Sequence, residues 1–217
     1  MSLKLPFIEA EITDQYLYDD NPRPWIIGFS GGKDSTMLLQ VVWRALMKIP
    51  AELRNRDIYV VCNDTLVENP RIVAFINRTL TGLQKAATEQ GMPISVHRTT
   101  PRLEDTFWVN LLGRGYPAPT NSFRWCTERL KINPTTRFIQ EKISESGEAI
   151  ILLGTRSDES QSRARSMKRH DYGDSDCVNI CCPMRLCTRP SKTSRQTSFG
   201  NISCKYLPRG AGRTKNS

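Results

Sequence analysis

An α/β fold built on a mostly parallel sheet is what this chain predicts, and three observations carry that reading. Short apolar runs of the kind buried on both faces of a sheet alternate with amphipathic helical stretches. Parallel strands need crossovers, and the intervening helices supply them. Every distinctive polar cluster falls just after one of the apolar runs, at the carboxyl end of a strand, where the sites of such sheets gather.

Trp25-Ile26-Ile27-Gly28-Phe29 is the first strand. The polar turn Ser30-Gly31-Gly32 follows. Asp34 to about Met47 then places Met37, Leu38, Val41, Val42, Ala45 and Leu46 on one stripe of a helix. Ile58–Cys62 reads as the second strand and ends in Asn63-Asp64-Thr65. A second helix runs from near Pro70, at a helix start, to Gln90, with Gly91 as its stop. Ile94–His97 is the third strand, and residues 113–123 form a loop rich in Gly and Pro. Pro134 to about Ser146 is a helix closed by Gly147, and Ala149–Leu153 is a fourth strand running into Gly154-Thr155-Arg156.

Beyond about residue 172 the periodicity fails. We therefore expect one α/β domain over residues 1–172 with helices on both faces of its sheet. Residues 173–217 read as an irregular, basic, Cys-rich tail, a truncated or divergent continuation, with 183–217 disordered or loosely attached.

A chain of 217 residues can bury one core plus an appendage. No apolar run approaches the roughly 18 residues of a membrane span, and the start MSLKLPFIEAEITDQ lacks an apolar signal core. We expect a cytoplasmic protein with no membrane partner. The net charge of +9 is uneven: residues 1–155 carry 18 Lys and Arg against 17 Asp and Glu, and residues 156–217 carry 13 against five. The basic end either attracts nucleic acid through phosphate contacts or is a solvated tail.

Seven cysteines without a secretory signal argue against a disulfide framework. Five of them (Cys177, Cys181, Cys182, Cys187 and Cys204) fall in the last 41 residues, which suggests a metal or Fe–S site or a redox thiol. His97 and His170 are the only histidines, so a His-rich metal site is excluded, and His97 reads as a strand residue.

Ser30-Gly31-Gly32-Lys33-Asp34-Ser35 joins the first strand to the first helix. Two glycines let backbone N–H groups close on an anion, the helix N-terminus adds donors and partial positive charge, and Lys33 adds a full one. Ser30 and Ser35 offer hydroxyls. Asp34, which would repel phosphate, makes sense as a helix N-cap or as a magnesium ligand. The bland alternative is a glycine turn with a capping Asp. The loop is not a Walker A loop, whose pattern is G-x-x-x-x-G-K-[ST].

Three further clusters follow strands or the long loop. Asp64 and Thr65 stand where a ribose, base or magnesium could be met, or where an Asp caps the next helix. Arg124-Trp125-Cys126-Thr127-Glu128-Arg129-Leu130-Lys131 suits an anionic substrate, with Arg124, Arg129 and Lys131 binding it and Cys126 as thiolate nucleophile or cluster ligand. The alternative is a basic surface turn with a half-buried Cys. Gly154 permits close nucleotide approach, and Arg156 and Arg163 can neutralise phosphate, unless this is a solvated helix start.

The loop resembles the signature of the PP-loop ATP pyrophosphatase superfamily, S-G-G-x-D-S/T after the first strand. The resemblance implies an adenine nucleotide α-hydrolase-like fold, with ATP and Mg²⁺ at Ser30–Ser35 and the β,γ-pyrophosphate held there as leaving group while a substrate oxygen attacks the α-phosphate. The Asp-Thr pair with its following glutamate, the Arg-Trp-Cys-Thr-x-x-Leu-Lys stretch and the Gly-x-Arg-x-x-Glu-Ser-x-x-Arg order are similar to the phosphoadenylyl-sulfate (PAPS) reductase branch, and especially to the C component of the Dnd system, which places sulfur in the DNA backbone. The similarity spans roughly residues 22–170.

It implies that Lys33, Asp34, Cys126 and Arg156 act in catalysis, with Asp64, Thr65, Gly154, Arg156 and Arg163 around the nucleotide. It further implies a [4Fe–4S] cluster on Cys126 with three of Cys177, Cys181, Cys182 and Cys187. The implied partners are DNA, a cysteine desulfurase and other sulfur-modification proteins, and a second copy of the chain as a homodimer. A PAPS or adenylyl-sulfate reductase, and an inactive nucleotide- or DNA-binding module of a larger assembly, are the alternatives.

Overall fold

The computed structural model describes residues 5–18, 23–120 and 122–154, together with the backbone of 177–180 and 184–187. Four parallel strands form the sheet: β1 (Trp25–Gly28), β2 (Ile58–Asn63), β3 (Ile94–Thr99) and β4 (Ile150–Leu153), in the order β3-β2-β1-β4. All four follow the expected apolar runs. Strands two and three extend by one and two residues past the apolar stretch, because Asn63 and Thr99 still pair in register.

Alternate residues of the strands face opposite ways. Trp25, Ile27, Ile58, Val60, Ile150 and Leu152 pack into the larger core. Helices α1 (Leu5–Leu17), α2 (Lys33–Met47) and α3 (Pro70–Glu89) contribute to that core through Ile8, Ile12, Leu38, Val42, Ala45, Leu46, Ile76 and Leu80. Ile26, Val61 and Ile151 face a smaller core built with Ile139 and Ile143 of α5 (Asn133–Ser146). The sheet is thus covered on both faces. Val42 is fully inaccessible and Leu38 nearly so, and truncating Leu38 to Ala would cost about 2–5 kcal/mol.

The strand order reverses at β1. The chain steps outward through β2 and β3, with α2 and α3 packed into the larger core, then returns to the other side of β1 as β4, with α5 in the smaller core. A reversal of this kind opens a crevice at the carboxyl ends of the strands on either side of it, here β1 and β4.

α1 has no counterpart in the sequence reading. Its Ile8, Ile12 and Tyr16, spaced four apart, lie on one face and are buried. Glu9, also buried, takes Arg44 of α2 and Lys48, the residue that caps that helix, at 2.6 Å each. Tyr16 Oη donates to Arg56 C=O and accepts from Arg56 N–H, both at 3.0 Å, and its ring meets Trp25 edge-on at 5.5 Å. Within the stretch expected to be irregular, β5 (Cys177–Ile180) and β6 (Met184–Cys187) pair antiparallel, with Cys177 opposite Cys187. Among the described residues no helix is long and apolar enough to cross a membrane.

Candidate functional site

At the end of β1 the chain bends sharply into α2. Gly31 carries φ of +72°, the left-handed region that glycine tolerates, and a Cβ there would stand 3.1 Å from Ile76 Cγ1. Hydroxyls hold the bend: Ser30 N–H donates to Ser35 Oγ at 3.3 Å, and Ser35 Oγ–H donates to Gly32 C=O at 3.0 Å. Ser35 is buried, so both bonds are structural. The first intrahelical bond is Thr36 N–H to Gly32 C=O at 3.0 Å, and the amides ahead of it lead off the helix N-terminus. Gly32 is the N-cap. The expectation that Asp34 caps the helix is therefore corrected: Asp34 lies inside the first turn, where its carboxylate complements the helix dipole. Lys33 is exposed beside it.

Gly154 closes the other side of the β1/β4 crevice. A Cβ on it would stand 2.6 Å from Asp34 O and 3.2 Å from Ser35 N. Its missing side chain therefore admits the α2 backbone; the room that the sequence suggested for a nucleotide is occupied by the first turn of the helix.

Past β2, Asp64 forms an ion pair with Arg98 of β3 and accepts from Leu66 N–H at 3.0 Å. It does not cap α3, whose N-cap is Asn69, accepting from Arg71 N–H at 2.9 Å. Leu66 follows with φ of +63°. Thr65 is buried and donates from Oγ1 to Glu68 Oε1 at 3.4 Å. Cys62, Asn63, Asp64, Glu68, Asn77 and Arg98 line a narrow pocket, with Ile76 on its wall. Ile76 also abuts Gly31, so this pocket adjoins the phosphate loop. Burial pushes the Cys62 thiol up, against the opposing pull of Arg98, and keeps it protonated.

From Trp125 the chain is helical without a break: α4 (Trp125–Thr127), a π-helical turn over Glu128–Ile132, then α5. The basic surface turn considered from the sequence is thus a helix carrying a π turn. Trp125 is buried, stacked on Phe107 with ring centroids 5.5 Å apart, and donates from Nε1 to Pro117 C=O at 3.0 Å. Cys126 is a half-buried free thiol. Arg124 and Lys131 are exposed. Arg129 departs from its expected role: it pairs with Asp105 at 2.5 Å and Tyr116 Oη at 3.0 Å, and the Asp105 bond holds its guanidinium protonated still more firmly. These bonds brace the loop.

Asn63 was not singled out in the sequence, yet its Oδ1 accepts from both Thr99 Oγ1 and, at 2.8 Å, Thr135 Oγ1. This pins the first turn of α5, and the Cys126 segment leading into it, to the carboxyl ends of β2 and β3. Arg98 was missed as well. The only sequence signal for it was a cation at a strand end; its partner follows from strand register, which sets Cys62 opposite Arg98.

Arg156, Arg163, Cys181 and Cys182 lie outside the described residues, and of Cys177 and Cys187 the backbone alone is described. Among the described residues no three His, Cys, Asp or Glu side chains converge as a metal-binding group, so no [4Fe–4S] seat is assembled there.

The model of the phosphoadenosine phosphosulfate reductase domain matches residues 24–184. The chain belongs to that family. The PAPS reductase domain thus takes in β1 to β4, the phosphate loop and the Cys126 segment. An uncharacterised protein of Methanocaldococcus jannaschii is 29% identical over 153 residues, 70% of this chain and 27% of that protein. The chain spans about a quarter of that relative's length. The U34-tRNA thiolase NcsA from Methanococcus maripaludis, solved with its [4Fe–4S] cluster, is similar at a TM-score of 0.44 and 16% identity, over 79% of this chain and 52% of the thiolase.

Proposed function

We propose that this PAPS reductase-family domain splits ATP between its α and β phosphates and passes the adenylyl group to an acceptor in a sulfur-transfer reaction. One observation carries the reading: the glycine bend at Gly31 and Gly32 presents the amide end of α2, with Lys33 exposed beside it, at the sheet's topological switch point.

An acceptor oxygen attacks the α-phosphorus. The bond from that phosphorus to the α–β bridging oxygen breaks, and its electron pair leaves on pyrophosphate. The amides at the start of α2 and the Lys33 ammonium stabilise the charge that develops there, and their pre-set orientation lowers the barrier. A carboxylate inside a phosphate site is consistent with a divalent cation between them; Asp34 would hold Mg²⁺, which neutralises phosphate charge when bound. Arg98 holds Asp64 at the rim of the neighbouring pocket, where it orients the ribose.

For the acceptor we propose a DNA backbone phosphate, with sulfur supplied by a cysteine desulfurase, as in the Dnd C group. The Arg124–Lys131 order and the basic composition of residues 156–217 support this reading. The family's own description favours a second reading, reduction of PAPS; sulfite release from PAPS with thioredoxin would select it. The assay for the first is incubation with α-labelled ATP and Mg²⁺, with and without DNA. Unlabelled pyrophosphate is expected, with the label on the adenylated acceptor and then on AMP as the delivered sulfur or water displaces it, and tight ATP binding without turnover would point to an inactive module.

A further inference from the structure

A second cleft lies away from the phosphate loop, between the short 3₁₀ turn Leu103–Asp105 and the first turns of α5. Arg102, Asp105, Asn133, Thr136 and Arg137 line it, enclosing about 240 Å³. Asn133, Thr136 and Arg137 stand at i, i+3 and i+4, on one face of the helix. Arg137 is aimed by a bond from Nη2 to Thr100 C=O at 3.2 Å.

The charges around the cleft favour an anion. Asp105 is neutralised by Arg129 at 2.5 Å. Glu104 reaches Arg102 only at 3.9 Å, with both side chains more than half exposed, so it screens Arg102 weakly. Two guanidiniums, a hydroxyl and a carboxamide therefore line the cleft, a donor set that suits phosphate oxygens. The surrounding surface suits a strand more than a bare phosphate: Leu103 is 78% exposed, and Trp108, three residues beyond Asp105, is 57% exposed. Cationic grooves with exposed aromatic rings are how proteins follow single-stranded nucleic acid.

Building on the adenylation reading, we infer that this cleft seats a backbone phosphate of the DNA acceptor, with Arg102 and Arg137 as its clamps and Thr136 as a hydroxyl donor. The phosphate held here is one that flanks the reacting phosphate: ATP sits at β1/β4, and the strand runs from there past β3 beside α5.

The experiment measures binding of a short fluorescein-labelled DNA strand to the full chain, across a salt series, for wild type, Arg102→Glu and Thr136→Asp. Both positions lie at the cleft without a bond that holds the fold, and Arg137 is left in place for its tie to Thr100. Adenosine 3′,5′-bisphosphate is titrated in parallel, and cleavage of α-labelled ATP is assayed on the same samples. The expected result is about tenfold weaker strand binding in each variant, the worth of one charge-assisted hydrogen bond. The slope of log K against log salt should flatten by about 0.7 for each phosphate no longer engaged. ATP affinity should stay at the wild-type value. Strand binding unchanged in both variants overturns the inference, and so does weakening confined to the bisphosphate. Absence of ATP cleavage in wild type, with the strand result intact, would instead sink the adenylation reading and leave the cleft standing.

Discussion

Gly154 and Asp34 meet backbone to backbone: a Cβ on Gly154 would stand 2.6 Å from the Asp34 carbonyl oxygen. The contact joins the end of β4 to the first turn of α2, so the sheet itself fixes where the phosphate-loop amides stand. Gly154→Ala must move that turn, at a cost of about 1–3 kcal/mol of overpacking. We expect a lowered Tm together with weaker ATP binding by calorimetry. Wild-type values of both would show that the contact does not position the loop.

Arg129→Ala separates bracing from substrate binding. It leaves the Asp105 carboxylate and Tyr116 hydroxyl without their shared partner, and should cost about 1.5–3 kcal/mol of stability. ATP affinity should not change. Chemical denaturation beside ATP titration checks this, and lost ATP affinity at full stability would return Arg129 to the substrate site.

His97 sets an acid limit. Its ring lies against Phe138 at 5.0 Å and Tyr59 at 5.4 Å, with Ser95 Oγ 3.1 Å from Nε2. Burial first, then the Lys142 ammonium, hold its pKa below the usual histidine range, against the Glu141 carboxylate. The unfolded chain therefore takes up this proton at a higher pH than the folded one. The stability His97 contributes is fully present above about pH 6.5 and is lost as pH falls from there toward the folded pKa. Denaturation midpoints measured downward from about pH 7.5 should fall less steeply in His97→Asn. Equal slopes would contradict the assignment.

Glu9 acts in a lower window. The Lys48 hydrogen bond, with the charges of Arg44 and Lys48, holds its carboxyl below the usual range against the effect of burial. Its contribution is present above about pH 4.3, the ordinary glutamate value, and disappears as pH falls through the folded pKa. Glu9→Gln should lower stability near neutrality and flatten the acid limb below that point. An unaltered acid limb would mean that α1 docks by its apolar face alone.

How far the sequence reaches depends on the range of the interaction. The four strands were legible because each is an apolar run bounded by turn residues, and the glycine bend because Ser30–Ser35 is one contiguous stretch. α1 was not, although Ile8, Ile12 and Tyr16 are spaced four apart, because that stripe is a single residue wide and is broken by Glu9, Glu11, Thr13, Asp14 and Gln15. The Asp64–Arg98 pair and the Asn63–Thr99–Thr135 cluster join residues 34 to 72 positions apart. Such pairs are set by strand register and helix docking, which no local pattern encodes. Gly154 was found for the right position and the wrong neighbour.

The most direct test follows the phosphorus atoms. Incubated with α-labelled ATP and Mg²⁺, the protein should release labelled AMP and unlabelled pyrophosphate, at least tenfold more slowly in Lys33→Ala, which takes one full charge away from the leaving group. Labelled ADP with orthophosphate would contradict cleavage between the α and β phosphates, and a Lys33→Ala rate equal to wild type would remove the phosphate loop from the reaction.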